Sequence, residues 1–266
     1  MTPLTVAANS GGLILANTLP NYSGRTYIGE FSATTSVSGG DVTIDSGYSG
    51  YVMGGGTEVG DADNNKVTFS GGTVTESVYA GYSKTGTANH NTLIITGTGL
   101  NDNAFGGRGE TGATYNTVNV NGGSGTISIY GGFAVTGNNS HNTVNATAGS
   151  YPRIFGAYGG TEATYNTVNV TGGTFLSVCG SEAARAASYN TVNIEGGTVT
   201  GDVYGASITS SGAGDATYNT VNIRGGSFDS DSTIYGGRNS SSGSGDVKTG
   251  NTLNMLSLIH ISEPTR

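Results

Sequence analysis

The 266-residue chain has no tryptophan, a single cysteine, four prolines and only 11% charged residues. One thiol, Cys179, permits no internal disulfide, so no covalent staple supports the fold, and Cys179 reads as a small buried hydrophobe. No apolar run approaches the roughly 20 residues that a membrane-crossing helix requires. The opening MTPLTVAANSGG has neither the basic start nor the apolar stretch of a secretory signal. Basic residues are also few. Three Lys and seven Arg lie scattered among 18 acidic residues, for a net charge of −8. Phosphate binding depends on clustered Lys and Arg, so this balance argues against a nucleic-acid partner.

Abundance lies elsewhere, in 48 Gly, 38 Thr, 29 Ser and 25 Asn. Helices do not tolerate that much Gly, no sustained apolar period of 3.6 residues is present, and no Gly-every-third rule indicates collagen. The 15 Tyr and the regularly placed Val and Ile argue against disorder. A β-rich, turn-rich fold remains.

The chain repeats. Asn-Thr-Val-Asn-Val, with small changes, begins at Asn91, Asn116, Asn142, Asn166, Asn190, Asn219 and Asn251, with a looser copy, NKVTF, at Asn65. Successive leading Asn residues lie 26, 25, 26, 24, 24, 29 and 32 positions apart. Gly pairs follow most copies (Gly71-Gly72, Gly122-Gly123, Gly172-Gly173, Gly196-Gly197, Gly225-Gly226). Next comes an aliphatic-aromatic-Gly unit, as in VYAG from Val78, IYGG from Ile129, VYGA from Val203 and IYGG from Ile234. A polar loop of variable length, often ending ATYN, leads to the next copy.

A unit of about 25 residues with short strands and Gly turns cannot bury an apolar face alone, whereas stacked copies can. Alternation puts Val118 and Val120 on one face of TVNV and Thr117 and Asn119 on the other. The aliphatic face points inward, and the Gly pairs supply the left-handed or tight conformations of a coil corner. The pattern predicts an all-β fold, a parallel β-helix (β-solenoid), right-handed because parallel crossovers overwhelmingly are. About nine coils at roughly 4.8 Å each give a rod on the order of 45 Å long. An antiparallel barrel or sandwich is the alternative. Residues 1–35 read as degenerate N-terminal coils or a cap and 36–255 as the solenoid.

Residues 256–266, LSLIHISEPTR, share none of this pattern and closely resemble a translated sequencing adapter. They are set apart from fold reasoning as a tag would be, which removes His260 from any catalytic argument. On this reading the natural gene continues beyond Met255 and the chain is a fragment.

VYGG-like unit, polar loop, ATYNTVNI and GGT in alternation resemble the passenger repeats of bacterial autotransporter adhesins over about residues 36–255. That resemblance implies a β-helix carried across the outer membrane, and an extracellular or cell-surface stalk, monomeric, with no membrane insertion of this segment. The family's N-terminal signal and C-terminal membrane barrel are missing here. A phage tail fibre or a wall-attached adhesin could use similar coils.

Catalytic chemistry finds few residues. His90 and His141 occupy the position before the repeat Asn, where Tyr115, Tyr165, Tyr189 and Tyr218 sit in other coils, so they read as members of a ladder. The polysaccharide-cutting β-helix enzymes make carboxylate pairs worth checking. Asp61 with Asp63 and Asp229 with Asp231 are the closest, but two residues apart on a strand they face the same way, whereas a glycosidase needs carboxylates opposed across a sugar. Asp61, Asp63 and Asn65 begin like a calcium loop, yet Lys66 and Gly72 stand where Gly and Glu are required. No catalytic residue, metal site or cofactor is assigned.

Two ladders could bind. One is the outward position after the aliphatic residue, Met53, Tyr79, Phe105, Tyr130, Phe155, Cys179, Tyr204 and Tyr235, in which Tyr79, Tyr130, Tyr204 and Tyr235 would stack on host or biofilm glycans or surface proteins; the same rings could instead cover a corner. The other is the Thr-x-Asn row, Thr117/Asn119 through Thr252/Asn254, flat enough for ice or simply a hydrogen-bonded ladder. The expectation is a non-enzymatic, adhesive surface solenoid of the autotransporter type. A polysaccharide lyase or glycosidase is its main alternative, with an ice-binding protein or tail fibre behind it.

Overall fold

The computed structural model describes residues 4–6, 26–209, 214–239 and 245–256. The adapter-like segment therefore lies, except for Leu256, outside the described residues. Every strand pairing among them is parallel, and the strands stack as a β-solenoid of about eight turns with a spacing near 25 residues. The all-β solenoid read from the repeat is the fold observed.

Each coil is built on three main extended runs, to which several coils add a two-residue strand between the first and second, as at Thr73–Val74 and Thr198–Val199. In the coil that starts at Asn116 the main runs are Thr117–Ser124, Ser128–Ala134 and Asn138–Ser140. In the next coil the first two runs merge into Thr143–Gly159, followed by Glu162–Thr164. Leu4–Val6 pairs with Val42–Ile44, and Tyr27–Ser32 with Val52–Thr57, so these two strands continue the same stack.

The register is residue on residue. Val42, Val67, Leu93, Val118, Val144, Val168, Val192, Val221 and Leu253 form one column on the first run. From Val42 to Val221 its members are fully buried. Val52, Val78, Ala104, Ile129, Ile154, Val178 and Val203 form its counterpart on the second run, also fully buried. Each such Val or Ile contributes about 1.5–3 kcal/mol by leaving water, which no single coil could gain with its faces open. Thr117 and Asn119, on the opposite parity, remain half-exposed, as the alternation requires.

The third run turns mostly alanine inward. Ala62, Ala88, Ala113, Asn139, Ala163, Ala187 and Ala216 stack there. Beside them runs a buried column of the leading repeat asparagines. Asn116 Nδ2 donates to Asn142 Oδ1 at 2.9 Å and to the Ala88 carbonyl at 2.9 Å, while Asn142 Oδ1 also accepts the Asn116 N–H at 3.0 Å. The pattern repeats from Asn65 to Asn251. A buried amide with all its partners met is tolerated in an apolar interior, and an unmet one is not. The second Gly of each pair has φ between +78° and +95° at Gly72, Gly123, Gly173, Gly197 and Gly226, the left-handed corner expected of it.

Candidate functional site

The corner before each leading Asn is also left-handed, and most of its residues are not glycine. His90, Tyr115, His141, Tyr165, Tyr189 and Tyr218 have φ between +55° and +59°. The same slot holds Gly39 and Asn64 on one side and Gly250 on the other, all with positive φ. One left-handed residue between two extended runs turns the chain sharply, so the ring projects outward while the following Asn enters the interior. Backbone bonds lock the corner from coil to coil: Tyr115 N–H donates to the Ser140 carbonyl at 3.0 Å and His141 N–H to the Thr164 carbonyl at 3.1 Å.

These six rings form one continuous stack. Adjacent centroids are 5.0, 4.6, 5.1, 5.1 and 5.1 Å apart from His90 to Tyr218, and no pair is inclined by more than 19°. Ring faces are taken up by neighbours. Ring edges, phenol hydroxyls and imidazole nitrogens meet solvent, and the four tyrosines are 46–51% exposed. The stack ends against Gly250, where any Cβ would strike the Tyr218 ring. A bulky L-residue in this conformation costs about 1–2 kcal/mol, and ring stacking returns roughly 0.5–1.5 kcal/mol. The two nearly cancel, and Gly or Asn would make the same corner without the cost. What the rings add is therefore the surface they present.

The other aromatic ladder is turned away from the aliphatic core but largely covered. Tyr79, Phe105, Tyr130 and Phe155 stack at 4.9–5.1 Å. Tyr79 is 8% exposed and Phe155 5%. A second column lies across their flank: Phe133 meets Tyr130 edge-on at 6.1 Å, and Tyr158 meets Phe155 at 5.3 Å. Burial pushes the Tyr79 and Tyr130 hydroxyls above the ordinary tyrosine value. Of the four tyrosines expected to face a glycan, Tyr79 is buried, whereas Tyr130, Tyr204 and Tyr235 stay half-exposed. Tyr204 and Tyr235 stack with each other at 5.4 Å, apart from the Tyr79 to Phe155 group. Cys179 separates the two groups. It is 1% exposed, and burial raises its thiol well above the usual range.

Several of the remaining polar positions are spent within the coil stack. Asp61 Oδ1 accepts from Thr87 N–H and Thr87 Oγ1, each at 2.8 Å. Burial first, and then the neighbouring Asp61 charge, raise the Asp63 carboxyl above its usual value against the hydrogen bond from Asn89. Asn65, third in the calcium-like series, is committed to the interior asparagine column. Asp229 and Asp231 sit on one exposed turn. Among the described residues, no group of three His, Cys, Asp or Glu could hold a metal ion. Along the Thr-x-Asn row, Asn145, Asn169, Asn193, Asn222 and Asn254 each donate Nδ2 to the Oδ1 of the preceding coil's Asn at 2.7–3.0 Å. That row is the hydrogen-bonded ladder.

In sequence His90, Tyr115 and their counterparts read as a ladder, while the display role is expected of the other column. The missed signal was the Gly or Asn standing in the same slot at Gly39, Asn64 and Gly250, which marks a left-handed corner. Compared with known protein families, with curated proteins and with solved structures, the chain matches none.

Proposed function

We propose that the chain is a structural and adhesive β-solenoid segment of a secreted surface protein of the autotransporter-passenger type, without catalytic activity, and that the exposed His90-to-Tyr218 column is its contact face. The observation that carries this reading is that six successive rings occupy a conformation Gly or Asn would hold at lower cost. Their edges offer hydroxyl and imidazole groups every 4.6–5.1 Å along the stack. That repeat is of the order of one sugar residue along a polysaccharide, and the ring edges provide an apolar margin beside each hydroxyl. Single contacts of this kind are weak, and a rigid row multiplies them through effective concentration. The Asp229 and Asp231 pair, on one exposed turn rather than opposed across a groove, supports the non-catalytic reading.

Binding to immobilised acidic and neutral polysaccharides tests it. Replacing Tyr115, Tyr165, Tyr189 and Tyr218 together with Ala is expected to weaken binding tenfold or more with an unchanged β circular-dichroism spectrum. Equal binding by this variant, or product release from pectin or alginate by the wild type, overturns the reading. Sequencing the locus past the codon for Met255 tests the secretion route: an amphipathic β-barrel region in frame is the expected outcome.

A further inference from the structure

The outer face of the second run is hollowed at one coil. Arg153, Ser177 and Asp202 stand at equivalent positions of successive coils, and so do Tyr158, Glu182, Ser207 and Arg238. Ser177 is the smallest of the first three. A cleft of about 350 Å³ opens beside it, bordered by Arg153, Leu176, Glu182, Asp202, Tyr204 and Arg238. Leu176, 48% exposed, forms an apolar margin. It rests against Gly201, where a Cβ would lie 2.5 Å from the Leu176 carbonyl oxygen and 3.1 Å from its Cδ1.

Two guanidinium groups and two carboxylates border this cleft without pairing. The ion pairs among the described residues, Lys66 with Asp41, Lys84 with Glu58 and Arg224 with Glu195, all lie elsewhere. The Tyr204 hydroxyl holds two of the four groups in place, donating to Asp202 Oδ2 at 2.5 Å and accepting from Arg238 Nη1 at 2.7 Å. Asp202 Oδ1 also accepts the Thr233 N–H at 3.0 Å, and the Arg238 guanidinium lies 5.1 Å from the centre of the Tyr204 ring. Arg153 is exposed and Glu182 half-exposed. Burial raises the Glu182 carboxyl above its usual value, against a hydrogen bond with Tyr158 and the charges of Arg153 and Arg238, so both arginines are near enough to act on it. Opposite charges that share a cleft and do not touch leave hydrogen-bonding capacity for whatever enters between them. A hydroxyl donates and accepts at once, so it can meet a guanidinium and a carboxylate alike. Four charges that sum to zero favour neither an anion nor a cation. The volume is at the low end of the range for small-molecule sites, about 300–1,000 Å³, which suits one or two sugar rings. Partners fixed in advance lower the ordering cost of binding.

We propose that this cleft binds one neutral pyranose ring, free or at the end of a glycan, whose hydroxyls bridge Arg153, Glu182 and Arg238 while its apolar edge lies along Leu176 and Tyr204. The cleft is on the outer face of the second run, whereas the exposed ring column stands at the corner before the first. The site is therefore separate from that column, and independent of the adhesive reading.

Isothermal titration of the full chain with the methyl glycosides of glucose, galactose and mannose tests it. At least one is expected to bind saturably at a single site. Ser177→Tyr places a ring in the cleft and should weaken that binding tenfold or more. Arg153→Ala removes a donor from an exposed position, so the fold is kept, and should weaken it fivefold or more; this variant keeps the test decisive if the Tyr variant folds poorly. Arg185→Ala, an exposed arginine outside the cleft, should bind within twofold of the wild type. No saturable binding of any of the three glycosides overturns the proposal. So does tighter binding of galacturonate or glucosamine than of the neutral sugars, or unchanged affinity in the Arg153→Ala variant.

Discussion

Tyrosine resists a backbone φ near +58°, yet Tyr165, Tyr189 and Tyr218 all adopt it. The stack of rings compensates, since each interior ring contacts one above and one below. Substitutions at Tyr189 separate the two terms. Tyr189→Gly loses both stacking contacts and relieves the backbone, so its stability should stay within about 1 kcal/mol of the wild type. Tyr189→Val loses the same contacts and keeps a β-branched residue where such residues are least tolerated, so it should fall below the Gly variant by about 1–2 kcal/mol or more. Denaturant unfolding monitored by circular dichroism gives both values. The order could not be read from Tyr189 by itself, because its identity argues against the conformation it adopts. It becomes legible only when Gly39, Asn64 and Gly250 are aligned with it.

Two asparagines of one repeat, Asn166 and Asn169, look alike in sequence and belong to ladders of opposite character. Asn166 is fully buried; its Nδ2 donates to Asn190 Oδ1 and to the Asn139 carbonyl, and its Oδ1 accepts from the Asn142 side chain and backbone. Asn169 is half-exposed, and its Nδ2 donates in the other direction along the rod, to Asn145 Oδ1 at 2.8 Å. Removing a buried partner leaves groups that water cannot reach, at about 1–3 kcal/mol each. Asn166→Ala should therefore lower stability by about 3 kcal/mol or more, and Asn169→Ala by less than about 1 kcal/mol, in parallel melts. The alternation already contained this distinction. Asn166 shares the parity of Val168 and Val170 and so must face inward, whereas Asn169 lies on the opposite parity. What alternation could not supply was the set of carbonyls on the third run that makes an interior amide tolerable.

As a whole, the molecule is a stack in which each coil contacts its neighbours alone, so its stability is a sum of coil and interface terms. Deleting residues 166–189 removes one full period and joins Tyr165 to Asn190, the counterpart of Asn166 in the next coil, so the Tyr-Asn corner is kept. The shortened chain should keep its β spectrum and melt cooperatively. Deleting half a period, 166–177, places the second run's residues in the first run's register and should abolish the fold. Equal behaviour of the two deletions would mean that coil register does not govern assembly.

The repeat period, the parity of Val and Asn, and the Gly-pair corners were determined by the sequence alone, because each is a local property of the chain repeated coil after coil. A period of about 25 residues with one apolar parity has few solutions other than parallel stacking. Which surface the aromatics present was decided only in three dimensions. Both aromatic columns alternate correctly in sequence, but Phe133 and Tyr158 lie across the flank of one, and among the described residues no ring lies across the other.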